Sequence, residues 1–259
     1  MTLMLLFAAL SGLGSVLITV LCPALSLWWC LPLWLGLYVA LGIIYILTLI
    51  VTLLLSPRRN ASPRGRQIIH TLIQQTIDWV VRLLGYRIRL QGTEKLPHTP
   101  FLWVSNHRSA FDPLCTIAAV EKDVVFIAKP GVFKIPVIGA LMRRVGFMPI
   151  DRENARNAVT TIKQAAACIR ERHRCVGIYP EGTRSKDGTL LPFHAGSFKI
   201  AVLAQCPVVV ASVRYEKRPL WGKRVHLHIL DVIDTDYVTA NNTAVIADRA
   251  KNAIAQDIK

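Results

Sequence analysis

Hydrophobic and polar positions divide this chain into two regimes. Residues 2–21 are an unbroken uncharged and largely apolar run, close to the ~20 residues that cross a bilayer as a helix. Cys22 and Pro23 interrupt it, and a second such run extends to Leu55. With Pro32 at the first helical position, residues 33–55 give a helix of roughly 35 Å, again long enough to span. The pattern predicts a helical hairpin over 1–57, either transmembrane or re-entrant within one leaflet. The first run lacks a basic n-region and ends in Leu21, a poor cleavage residue, so it reads as an anchor and not as a signal peptide.

Residues 56–66, with two Pro, one Gly and four Arg, read as a linker. Ile68, Ile69, Leu72, Ile73, Ile77, Val80, Val81 and Leu84 then recur near the helical period, with Gln67, His70, Gln74, Gln75, Asp78 and Arg82 opposite. That helix completes a connecting segment over 58–84, and its apolar face suits either a domain core or a membrane surface.

From 85 to 259 short β-type runs alternate with helical ones. Strands are predicted at 86–90, 101–105, 124–128, 145–150, 176–179, 208–213 and 225–230, and helices at 113–120, 136–143, 156–170, 196–204 and 244–258. The alternation specifies an α/β domain, a mixed sheet flanked by helices, in which chemistry gathers where strands end.

Composition reinforces the division. Hydrophobic residues make up 53% of the chain, mean hydropathy is +0.40, and no charged side chain precedes Arg58. An ordinary cytosolic globule is thereby excluded. Arg58, Arg59, Arg64 and Arg66 follow the second run directly and mark its cytoplasmic end, leaving Trp28, Trp29 and Trp34 for the opposite interface. This predicts an integral membrane protein, of a bacterial inner membrane, with residues 85–259 on the cytoplasmic side. Thirty-one Lys and Arg against 16 Asp and Glu give +15, an excess that attracts nucleic acid or anionic lipid. Cys22, Cys30, Cys115, Cys168, Cys175 and Cys206 include no CxxC pair and sit in apolar stretches, which excludes zinc fingers and disulfide scaffolds. No GxGxxG, Walker A loop, GxSxG elbow or HExxH helix is present.

Four stretches at strand ends carry the candidate chemistry. Asn106-His107-Arg108-Ser109-Ala110-Phe111-Asp112 follows the run 101–105, with Pro113 placed to open a helix. An Asp112 carboxylate near that helix start can accept from one imidazole nitrogen of His107 and leave the other basic. The same spacing also suits a plain helix cap at Asp112. Tyr179-Pro180-Glu181-Gly182-Thr183-Arg184-Ser185 ends another strand. There Glu181 can accept from a hydroxyl, Arg184 can bind a phosphate and Gly182 permits close backbone approach, although an ordinary solvated turn reads the same way. Lys129 and Arg152 are basic groups at two further strand ends, and Cys206-Pro207-Val208-Val209-Val210-Ala211 reads as a buried strand.

In order, NHRSAFD, AKPGVFKIPVIGALMRRVGFMPIDR, YPEGTRS and CPVVVASV resemble the four blocks of the glycerolipid acyltransferase family, over about residues 85–215. The resemblance is closest to the members that acylate 1-acylglycerol-3-phosphate, and it implies a glycerol-3-phosphate acyltransferase-like fold. It further implies transfer of a fatty acyl group from acyl-CoA or acyl carrier protein to the sn-2 hydroxyl of the lysolipid, giving phosphatidic acid. His107 would be the general base and Asp112 its orienting partner. Asn106, Lys129, Arg152, Glu181, Gly182, Thr183 and Arg184 would form the substrate-binding set. No metal or bound cofactor is implied. The expected partners are lysophosphatidic acid, anionic phospholipids and acyl carrier protein, with no nucleic acid. Pro130-Gly131-Val132 departs from the Lys-Glu-Leu type of run common in bacterial members. Two other readings compete: the same chemistry on another lysophospholipid or a lyso-ornithine lipid, and a non-catalytic, membrane-anchored polyanion-binding protein.

Overall fold

A computed structural model describes residues 2–22, 27–55, 63–185, 187–217 and 221–258. They form two compact units, 1–80 and 81–259.

The first unit is helical. α1 (Thr2–Leu21) and α2 (Cys30–Leu55) are the two apolar runs, and α3 (Pro63–Leu83) is the amphipathic helix. Trp34 Nε1 donates to Ala8 O at 3.0 Å and ties α2 to α1. Ser11 and Ser15 satisfy their hydroxyls on carbonyls of their own helix. Trp79 of α3 lies edge-on to Phe7 and Tyr38, donates from Nε1 to Tyr38 OH at 2.8 Å, and covers Gly42, where an added Cβ would lie 2.3 Å from the ring. Part of the α3 apolar face is therefore used against the hairpin. Within α2, Cys30–Thr52 is long and apolar enough to cross a membrane and only 6% of it is buried. Leu5–Leu21 is a shorter apolar helix.

Two boundaries differ from expectation for one reason. α2 begins at Cys30, so Pro32 is its third residue, and α3 begins at Pro63, inside the stretch read as linker. The N–H groups of a first helical turn have no intrahelical acceptor, so Pro is tolerated there. Of the basic cluster expected at the cytoplasmic end, Arg58 and Arg59 and the side chains of Arg64 and Arg66 lie outside the described residues.

The second unit is built on a seven-stranded sheet in the order β1-β7-β6-β2-β5-β3-β4. The strands are β1 (Tyr86–Gln91), β2 (Leu102–Ser105), β3 (Val124–Ala128), β4 (Met148–Pro149), β5 (Cys175–Ile178), β6 (Val208–Lys217) and β7 (Lys223–Ile233). Neighbours pair in parallel except β6 with β7, which are antiparallel. The central strands are buried on both faces, and so they read as continuous apolar runs where edge strand β1 alternates. Around the sheet lie α4 (Asp112–Ala119), α5 (Ile138–Val145), α6 (Ala155–Arg172), α7 (Lys199–Ala204), α8 (Thr235–Ala240) and α9 (Thr243–Asp257). The core runs through Leu102, Val104, Val125, Ile162, Val176, Ile178, Phe198, Val208, Ile246 and Ile254.

The strand expected over 145–150 shrinks to two residues, because α5 runs to Val145 and ends on Gly146 at φ 102°, the left-handed position that terminates helices. α8 escapes the composition-based reading: it is six residues long, holds two Thr and one Val, and depends on Asp234, whose carboxylate accepts from Tyr237 N at 2.7 Å. The cysteines carry no disulfide, and four of the six are buried. Burial pushes the Cys115 thiol up to about 12 and that of Cys175 to about 11.

Candidate active site

Parallel order places the ends of β2, β5 and β3 along one edge of the sheet. The loop after β2 turns into α4 so that Asp112, fully buried, is the first helical residue, after Phe111 as cap residue. Its carboxylate accepts on Oδ2 from His107 Nδ1 at 2.8 Å and from the backbone N–H groups of Arg108 at 2.7 Å and Ser109 at 2.8 Å, and on Oδ1 from the Tyr215 hydroxyl at 2.5 Å. A carboxyl group that meets four donors acts as acceptor only, so the imidazole proton resides on Nδ1 and the Nε2 lone pair faces outward. The His107 side chain is 19% exposed, enough to meet a substrate.

The ring is fixed in plane as well as in rotation. Tyr179 stacks on His107 with centroids 4.3 Å apart at 17°, and Phe126 stacks on Tyr179 at 5.5 Å and 11°. Burial of Tyr179 holds its phenol well above the usual range, and neutral at physiological pH.

Glu181 welds this loop to the one after β5. Its Oε1 accepts from His107 N at 2.7 Å and its Oε2 from Leu191 N at 3.1 Å, while Ser185 N donates to His107 O at 2.9 Å. Burial raises the Glu181 carboxyl, an effect that the two backbone N–H groups partly offset. Gly182 has φ 73°, and an added Cβ would come within 1.4 Å of Arg152 Nη1. The position favours glycine for its backbone, and the absence of a side chain leaves the space that the Arg152 guanidinium occupies. Arg152 Nη2 also donates to Tyr179 O at 3.2 Å, and burial of this end of the side chain lowers its pKa although much of the residue meets solvent. Thr183 and Arg184 are exposed beyond the turn, and Lys129 is exposed at the end of β3.

The structure therefore gathers His107, Asp112, Glu181, Gly182 and Arg152 into one constellation, with Thr183 and Arg184 at its rim. Asn106 faces the other way: its side chain is buried and bridges Val213 of β6, Nδ2 donating to the carbonyl at 3.0 Å and Oδ1 accepting from the N–H at 2.7 Å. Tyr215 had no role in the sequence reading. The signal available was strand alternation: extending the run 208–213 by two residues puts Val213 and Tyr215 on one face, with Ser212 and Arg214 on the other.

Residues 87–214 match the family described as Acyltransferase. The chain is 34% identical over 178 residues to the chloroplastic 1-acyl-sn-glycerol-3-phosphate acyltransferase BAT2 of Brassica napus, covering 67% of this chain and 51% of that protein. It is 27% identical over 200 residues to 1-acyl-sn-glycerol-3-phosphate acyltransferase alpha of Homo sapiens, covering 74% and 71%. The alignment thus spans about half the length of the Brassica relative. In fold it is similar to the crystal structure of the 1-acyl-sn-glycerophosphate acyltransferase PlsC from Thermotoga maritima, with a TM-score of 0.67 at 21% identity over 83% of this chain and 87% of that one. Both motif loops, the His107–Asp112 pair of the first and the Glu181 tie between them fall inside the matched segment, and the chain belongs to the acyltransferase family.

Proposed function

We propose that this protein transfers a fatty acyl group from a thioester, on coenzyme A or acyl carrier protein, to the sn-2 hydroxyl of 1-acylglycerol-3-phosphate, giving phosphatidic acid. The observation that carries the reading is the His107–Asp112 pair, preorganised by four hydrogen bonds on the carboxylate and a stacked tyrosine on the imidazole. His107 Nε2 takes the proton of the acceptor hydroxyl as that oxygen adds to the thioester carbonyl. The tetrahedral adduct then expels the thiolate, which receives the proton from the imidazolium. Asp112 holds the tautomer and stabilises the imidazolium, the role of the acid in a catalytic triad. The thiol of Cys115 is fully buried and pushed by burial to about 12, so it offers no thiolate nucleophile, and the transfer we propose is direct.

Arg184, Lys129 and Arg152 supply positive charge for the acceptor phosphate, with Gly182 and Thr183 admitting it to the turn. Asn106 and Glu181 act through the backbone they hold. Exposed Leu13, Val20, Leu31 and Ile44 on the hairpin suit contact with lipid tails, and we place the protein in a bacterial inner membrane with its α/β unit on the cytoplasmic side, where soluble thioesters are found.

The test is to incubate membranes holding the wild type or His107→Ala with lysophosphatidic acid and long-chain acyl-CoA, then with acyl-acyl carrier protein, and follow phosphatidic acid by mass spectrometry. Product is expected with at least one donor for the wild type and a loss of about 10²–10⁴-fold for the variant. Undiminished product from His107→Ala removes the base from the mechanism, and no product from the wild type with either donor removes this acceptor.

A further inference from the structure

Beyond Lys129, the segment that leads from β3 into α5 takes no part in the mechanism above, yet it is built in an unusual way. From 131 to 138 only Phe133 is buried, while Val132, Ile135, Val137 and Ile138 are 37%, 46%, 48% and 50% exposed. The loop is held firmly. Phe133 O accepts from Arg143 Nη1 at 2.9 Å, Ile135 O from Gly139 N at 2.8 Å and Val137 O from Leu141 N at 2.8 Å. A Cβ on Gly139 would lie 2.0 Å from Phe133 O. Val137, a β-branched residue, sits at φ 61°, a conformation that persists only where the surroundings impose it. A strained, tightly tied loop thus holds four aliphatic side chains outward, and no packing within the unit compensates for their exposure.

Charge says what suits that surface. Between Val124 and Ile150 there is no Asp or Glu, and there are four cations, Lys129, Lys134, Arg143 and Arg144. Lys129, Lys134 and Arg143 are exposed. The flanking carboxylates are engaged elsewhere, Asp123 with Arg174 Nε at 2.6 Å and Asp151 with Glu153 N at 3.1 Å. The loop rises from the end of β3, on the edge of the sheet that carries the His107 and Glu181 loops.

We propose that residues 132–138 are a docking loop that inserts Val132, Ile135, Val137 and Ile138 into the interfacial layer of a bilayer containing anionic lipid, with Lys134 and its cationic neighbours on the headgroups. Apolar area alone would suit a protein partner equally well; an apolar tip on a segment that carries four cations and no carboxylate selects a negatively charged lipid surface. The contact belongs to the α/β unit itself and is additional to the apolar helices of the leader. For an enzyme whose acceptor lies in the membrane, it would hold the catalytic edge at the depth of the acceptor hydroxyl, and in that purpose it rests on the acyltransferase reading.

Lipid contact can be read without turnover, so failure of docking and failure of the catalytic reading are separable. In full-length protein with Cys22→Ser and Cys30→Ser, a bimane is attached at Ile135→Cys or, as a repeat, Ile138→Cys. A control label goes at Val159→Cys on α6, which is 47% exposed. Each is reconstituted in phosphatidylcholine vesicles with or without phosphatidylglycerol, and quenching by doxyl-labelled lipid is measured. Quenching at 135 and 138 is expected to exceed that at 159 by about twofold or more, and to fall by about half when phosphatidylglycerol is omitted or Lys134→Gln is added. Equal quenching at 135, 138 and 159 overturns the proposal. So does shielding of the labels in detergent by acyl-CoA, which would assign the face to the donor chain, or by rising protein concentration, which would assign it to a second copy.

Discussion

The loops after β2 and after β5 meet through the Glu181 carboxylate and the Ser185–His107 backbone bond, yet they are built on opposite plans. In the first the groups around the imidazole are committed: Asp112 is buried under four donors, His107 is clamped by stacking, and Asn106 is fixed on Val213. The imidazole Nε2 is left for a substrate. In the second, Glu181 is turned inward onto backbone N–H groups, while Thr183 and Arg184 project outward. Proton transfer gains from groups that need no reorganisation at the moment of reaction, whereas recognition of a charged headgroup needs donors not already engaged. On the proposed function, one edge of the sheet would separate the two tasks, and single substitutions on either side should produce different kinetic signatures.

The largest effect is expected at the centre of the committed loop. Asp112→Asn keeps the shape but puts an amide NH₂ where one of the carboxylate oxygens accepted, so a donor faces a donor or the imidazole adopts the wrong tautomer. The expected result is a fall in kcat of about 10²–10³-fold with the KM of the acceptor nearly unchanged. A variant that loses affinity and keeps kcat would show that this loop recognises as well as reacts. On the open loop, Arg184→Ala removes a cation from the rim without disturbing the Glu181 tie. The KM for a phosphate-bearing lysolipid should rise by about 10–100-fold, the worth of a charged hydrogen bond, while kcat changes little. An acceptor lacking the phosphate should show no such difference, and equal losses on both acceptors would contradict the division.

Much of this site was legible in the sequence because its chemistry is local. His107 and Asp112 stand five residues apart on either side of one turn, and a polar stretch directly after an apolar run announces a strand end. The α/β order was legible for the same reason, since strands such as 124–128 and helices such as 156–170 are patterns of neighbouring residues. What pairing across the sheet decides was not legible. Tyr215 is 103 positions from Asp112, and Val213, which holds Asn106, is 107 positions from it. Glu181 and Asn106 look like substrate ligands in a linear reading, because their type is visible and the backbone N–H groups and carbonyl that engage them are not. The sequence marks Gly182 for its backbone and gives no sign of the Arg152 guanidinium that lies where a side chain would be.

Smaller effects test how far the committed plan extends. Tyr215→Phe removes one of the four donors to Asp112 and leaves the ring packed near Tyr86, whose centroid is 6.4 Å away. Without that donor the carboxylate is held less firmly against His107 Nδ1, so kcat should fall by about 3–10-fold, as expected for one hydrogen bond, with the KM of the acceptor nearly unchanged. A purely structural role would lower the yield of folded protein and leave kcat per folded molecule at the wild-type value.

Behind the first loop the chain of contacts runs on to the C-terminal helix. Ser212, beside the Val213 that holds Asn106, donates to Asp257 Oδ2 at 2.6 Å, and His228 Nδ1 meets Asp257 Oδ1 at 2.9 Å. Burial alone would raise the Asp257 carboxyl, but the hydrogen bonds from Ser212 and His228, aided by the charge of Arg214, outweigh it and hold the group below its ordinary value. A carboxyl depressed in the folded state adds stability that is present above its unfolded pKa of about 3.9 and is lost as pH falls through the lower folded value. Asp257→Asn should therefore cost about 1–2 kcal/mol near neutral pH, a few degrees in Tm. The gap from wild type should close below about pH 4. Because Asp257 touches neither loop, kcat and KM at a temperature well below Tm should stay within about twofold of wild type. A large loss of kcat at full stability would mean instead that the geometry of His107 is set as far away as α9, and that the committed loop is only the visible end of a longer preorganised unit.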